Sequence, residues 1–111
     1  MADALDRAIF TRNIHKAQIR AELLRPAQLV TFYLMASYLY YQCDISLMAD
    51  SEYDKICKRL LAEWDSIEHA HKKVIDYDSL DATTGFTLRL HDYPLITQSA
   101  ALRFAEERGL L

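Results

Sequence analysis

Between Tyr38 and Asp54 the chain sets tyrosines and carboxylates on both sides of one short connection: Tyr38, Tyr40 and Tyr41 before it, Asp50, Tyr53 and Asp54 after it. On a helix the last three share one face, because their spacings are three and four residues. A tyrosine ring offers a flat apolar surface to an aromatic heterocycle, with a further cation–π attraction if that ring is positively charged. Nearby carboxylates accept hydrogen bonds from hydroxyl or amide donors and favour the same cation. The chemistry within reach is therefore a grip on a flat, polar, cationic small molecule. No other constellation competes with it. No Ser/His/Asp or Cys/His set has a recognisable spacing, and a chain with two glycines has no glycine-rich phosphate loop.

Helices must position these side chains. Half of the residues are hydrophobic, and two glycines and two prolines leave few breaks, so the fold class expected is mainly α. At 111 residues the expectation is a single domain, 1–111, with one core. A first helix is predicted over about 3–24 from Ala4, Leu5, Ala8, Ile9, Ile14, Ile19 and Leu23. Pro26 ends it and opens a second helix to about Cys43, since a proline in the first turn sacrifices no hydrogen bond. That stretch carries no charge over eighteen positions. Gln28, Thr31, Ser37, Gln42 and four tyrosines make it too polar for a membrane span and suit it to the buried centre of a bundle. Asp50 or Ser51 is placed to N-cap a third helix, with Glu52 and Asp54 in its first turn. Its apolar stripe is Tyr53, Ile56, Cys57, Leu60, Leu61, Trp64 and Ile67, while Lys55, Lys58, Arg59, Glu63 and Asp65 are expected to face water. Residues 26–72 thus read as an antiparallel helical hairpin that brings Tyr40 and Tyr41 beside Asp50, Tyr53 and Asp54. Residues 73–111 read as a loop with a short strand at 86–90, then a helix from Pro94 to about Arg108. Leu95, Leu102 and Ala105 point inward there, and Gly109 forms the C-terminal cap.

Tyr38-x-Tyr40, nine residues, then Asp50-x-x-Tyr53-Asp54 resembles the segment of the small N-terminal module, domain Ia, of NAD-dependent DNA ligases. The similarity also takes in Asp44 and the helix through Trp64, covering residues 30–66, about a third of the chain. The resemblance implies a module that holds the nicotinamide mononucleotide half of NAD, with Tyr40, Asp50, Tyr53 and Asp54 at positions the family uses for that ligand. Where the family has a histidine after the motif tyrosine, this chain has Tyr41, which lies at the same site but supplies no cation to a phosphate. The connection Ile45-Ser46-Leu47-Met48-Ala49 also lacks the proline common in the family. A phosphate contact would have to come from elsewhere, and Arg12, Lys16 and Arg20, recurring every four residues, are the candidates.

Ligation itself is not expected. In the family a lysine of a Lys-x-Asp-Gly motif, in a separate larger domain, attacks the α-phosphate of NAD; this chain has neither the motif nor the length. The function expected is non-catalytic binding of NAD or nicotinamide mononucleotide, to sense or sequester NAD or to assist a separate adenylation domain. Two alternatives stand beside it: a protein-interaction module or homo-oligomer that kept the fold and lost the site, and a nucleic-acid accessory using the basic first helix. The net charge of −3 disfavours nucleic acid as a partner. Its distribution is uneven, with five basic and three acidic residues in 1–25 against four acidic and no basic ones in 26–54. Two cysteines, Cys43 and Cys57, form no disulfide framework or ligand array, and no signal peptide is evident. The expected location is cytoplasmic, or the host cytoplasm if the module, as standalone relatives suggest, is encoded by a phage. His69 and His71 would diverge by about 200° on a helix, so no metal is expected.

Overall fold

The computed structural model describes residues 19–85 and 87–111. Helix α1 spans Pro26–Cys43, α2 Asp50–Glu63, α3 Tyr77–Asp81 and α4 Leu95–Glu107, and single 3₁₀ turns lie at Ala21–Leu23, Trp64–Ser66, Lys72–Val74 and Leu90–Asp92. The protein is mainly helical, and no strand occurs among the described residues.

Helix α1 is the centre. Pro26 opens it, and nine of its eighteen residues, Leu29, Val30 and every residue from Tyr33 to Leu39, are shielded from solvent. An uncharged stretch with apolar residues on every side can be covered from several directions, and α2 and α4 both pack on it. No helix among the described residues is long and apolar enough to cross a membrane. At its end Asp44 takes the left-handed conformation, φ 58°, and the N–H groups of Asp44 and Ile45 both reach the Leu39 carbonyl. An aspartate tolerates this region better than most residues.

Helix α2 buries Ile56, Cys57 and Leu60 on the predicted stripe, with Tyr53, Leu61 and Trp64 partly covered. Two details differ from expectation. The residue before the first turn is Ala49, without a side-chain cap, and Asp50 is already helical. Leu47 and Met48 are drawn into the core, and the extended backbone ends at Ala49, so the helix begins one residue earlier than a cap at Asp50 would place it. Arg59, expected to face water, instead donates from Nη1 to the carbonyls of Ala21 and Leu24, at 2.8 and 2.7 Å, while its Nε pairs with Glu63 at 2.7 Å.

Those bonds explain why the predicted first helix does not extend through its expected end. Residues 1–18 lie outside the described residues; from Arg20 the backbone is extended, and Ala21–Leu23 forms one 3₁₀ turn. The Ala21 N–H donates to Glu52 Oε1 at 2.8 Å. Side chains of α2 thus satisfy backbone groups that a continuing helix would have paired internally.

The segment read as a loop contains α3, which packs on α2. Asp76 caps it: Oδ1 accepts from the Asp78 N–H at 3.2 Å, and Oδ2 from the hydroxyls of Ser79 and Thr87 at 2.8 and 3.0 Å. The predicted strand at 86–90 is not formed at its described positions, where Leu88 is buried and Leu90 begins a 3₁₀ turn. A strand needs a partner ladder, and none lies beside it among the described residues. Helix α4 buries Thr97, Ala101 and Ala105, one face at four-residue spacing. Leu95, expected inward, is 78 % exposed, because two residues before Thr97 it stands about 200° round the helix from the buried face. Gly109 does follow the helix with φ 73°, as its capping role required.

Candidate functional site

The end of α1 meets the start of α2: Ser37 of α1 touches Tyr53 in the first turn of α2, while Leu24, ahead of α1, touches Arg59 further along α2. Where they meet lies an open pocket of about 330 Å³ lined by Tyr40, Tyr41, Asp50, Tyr53, Asp54 and Thr83. The five residues expected to hold the ligand all line this one space and Thr83 completes it, whereas Tyr38 is buried and meets Tyr93 edge to face.

Each wall has an identifiable support. Tyr53 stacks on Tyr33 with ring centroids 5.6 Å apart and planes 23° apart, and its hydroxyl shares a 2.7 Å hydrogen bond with Ser37 Oγ. Burial drives the Tyr53 hydroxyl far above the ordinary phenol range, with Tyr33 adding to it, and burial does the same to Tyr33. Both phenols therefore stay protonated. Tyr33 donates to the Thr84 carbonyl at 2.7 Å, and Tyr41 Oη lies 2.7 Å from Thr84 Oγ1. Tyr40 and Tyr41 meet edge to face, centroids 4.9 Å apart at 87°, so their planes form a corner, with Tyr40 half exposed.

The fourth side is the loop after α3. Thr83 adopts φ 50°, an unusual state for a β-branched residue, of the kind held only where surroundings enforce it. Thr84 N–H reaches back to the Ser79 carbonyl at 3.1 Å, and Gly85 presses against α1 so closely that a Cβ would sit 2.5 Å from Ser37 Oγ. The participation of Thr83 and its supports Tyr33, Ser37, Thr84 and Gly85 escaped sequence reasoning. Thr83-Thr84-Gly85 is visible as a turn signal, but nothing local ties it to residues more than forty positions earlier.

Asp50 and Asp54 supply the only charge in the lining; no lysine, arginine or histidine is among the described residues that form it. The phosphate candidates do not enter it here. Arg20 is not part of the lining and pairs with Glu22, while Arg12 and Lys16 lie outside the described residues.

His69 and His71 depart from expectation. The chain after α2 is a turn rather than a helix end, and the two rings lie 5.3 Å apart instead of diverging. His69 Nδ1 accepts the His71 N–H at 3.0 Å, so in the neutral ring the proton sits on Nε2, 3.1 Å from Thr31 Oγ1. No group of three or more metal-ligating side chains gathers among the described residues.

Fold and site together define a small helical domain with an aromatic, acidic pocket at a helix junction. Compared with known proteins, the chain matches no family model, no curated protein and no solved structure.

Proposed function

We propose that the chain is a non-catalytic binding module for a nicotinamide nucleotide, NAD or nicotinamide mononucleotide, related to domain Ia of NAD-dependent DNA ligases. One observation carries the reading: Tyr40, Tyr41, Asp50, Tyr53 and Asp54, selected by type and spacing, line a single pocket together. Its volume is at the lower end of the roughly 300–1,000 Å³ usual for small-ligand sites, which suits one nucleoside better than a whole dinucleotide. Tyrosine faces would take the ring, and the two carboxylates would accept from ribose hydroxyls or the carboxamide. The biological use fitting a binding module without a nucleophile is NAD sensing or sequestration, or delivery to a separate adenylation domain.

The test is titration of the folded protein with NAD, nicotinamide mononucleotide and AMP, followed by NMR and calorimetry. The first two should shift resonances of Tyr40, Asp50 and Asp54 and AMP should not; absence of any shift at millimolar ligand refutes the proposal. Asp50→Asn and Asp54→Asn are the proper site variants, because Tyr53 also stacks in the core and its truncation would disturb both.

A second reading, a protein-interaction module, draws on the apolar edge where Leu90, Leu95 and Ile96 are 51 %, 78 % and 70 % exposed. Concentration-dependent association abolished by Leu95→Ser with Ile96→Ser would favour it.

A further inference from the structure

Resting on the reading of this pocket as a nicotinamide site, we infer that it favours the cationic nucleoside and disfavours the phosphate, so that nicotinamide riboside binds more tightly than its 5′-phosphate. The charge of the lining carries this. Asp50 and Asp54 are one helical turn apart on α2, a spacing that puts Cβ atoms about 5–6 Å from one another. Both line a pocket whose other described residues are three tyrosines and a threonine.

Two carboxylates beside tyrosine rings are surroundings that favour a quaternary nitrogen. A pyridinium ring lying in the Tyr40–Tyr41 corner would gain from the ring faces and from both aspartates. A phosphate on the same ligand meets the opposite field. No cation among the described residues lines the pocket, and the Tyr41 hydroxyl is held 2.7 Å from Thr84 Oγ1. Nor is the first turn of α2 available as an anion site, because Asp50 and Glu52 occupy it.

Four probes separate ring charge from phosphate. Neutral nicotinamide and the 1-methylnicotinamide cation differ in the charge on the ring; nicotinamide riboside and nicotinamide mononucleotide differ only in the phosphate. NMR titration of the full chain at low salt should give at least about tenfold tighter binding of the methylated cation than of nicotinamide, and of the riboside than of the mononucleotide. The second ratio should shrink in 1 M salt, where screening acts within about 3 Å. Asp50→Asn with Asp54→Asn should bring both ratios to within about threefold. The four wild-type titrations decide the question whether or not that variant folds. If the mononucleotide binds as tightly as the riboside, or the neutral amide as tightly as the cation, the inference is overturned while the nicotinamide reading stands. If no probe binds, both fall.

Discussion

Gly85→Ala tests the account of the pocket most directly, because one methyl group would enter the place where Ser37 and Tyr53 converge on the 83–85 loop. The added Cβ would lie 2.5 Å from Ser37 Oγ, 2.9 Å from Ser37 Cβ and 3.0 Å from Tyr53 Oη. Ser37 is fully buried on the most shielded stretch of α1, and Tyr53 is stacked on Tyr33, so neither side can yield freely. Relief to an ordinary contact requires a displacement of about 1 Å, and overpacking of this kind costs about 1–3 kcal/mol. The Ser37–Tyr53 hydrogen bond lies across the same point, and losing it adds about 1 kcal/mol. The expected loss is about 2–4 kcal/mol, read from urea unfolding, or a fall in Tm of at least about 8 °C. Ser37→Ala removes the closest atom, so in a double-mutant cycle it should recover about 1 kcal/mol of the Gly85→Ala penalty. A Gly85→Ala protein within about 0.5 kcal/mol of wild type would refute the close approach of the 83–85 loop to α1, and with it the fourth wall of the pocket.

Arg59→Ala should lose roughly 2–3 kcal/mol in denaturant unfolding, since it leaves the Ala21 and Leu24 carbonyls without their charged donor; Arg59→Lys should rescue little, as one ammonium cannot serve both carbonyls and also the two Glu63 oxygens that Nε and Nη2 hold. The two cysteines should differ in reactivity: burial pushes the Cys57 thiol up to about 12, with the Asp54 carboxylate adding to it, whereas Cys43 is half-buried. Mass spectrometry after brief alkylation at pH 8 should therefore show modification of Cys43 alone, and equal rates at both would count against the packing of α2. Burial, then the neighbouring His71, holds the His69 pKa below its ordinary value. The unfolded chain then binds the proton first, so stability should fall as pH drops below about 6.5 and level off beneath the folded pKa. His69→Gln should flatten this decline between pH 7.5 and 5.5, a window above the carboxylate range; an unchanged slope would refute the role assigned to His69.

Features legible from the sequence were those whose causes act within a few residues. Pro26 as a helix opener, the uncharged run to Cys43, the apolar stripe of α2 and Gly109 after α4 each set a local backbone choice. The five lining residues were legible for the same reason. They flank a single six-residue connection, 44–49, and two helices packed across so short a link have little freedom in which ends they juxtapose.

Where a residue's state depended on a distant partner, sequence and structure parted. Ala21 left the helical pattern because Glu52 and Arg59 supplied its hydrogen bonds. Leu88 alternated like a strand residue but found no ladder among the described residues, and Leu95 fell on the side of α4 opposite the face that Thr97, Ala101 and Ala105 bury. The pocket itself divides along this line. Its chemistry, tyrosines with carboxylates, was determined by side-chain type and spacing within seventeen residues, 38–54. Its closure was decided by Thr83, Thr84 and Gly85, brought onto α1 from more than forty residues away, because a loop's conformation is set by what it packs against and not by its own propensities.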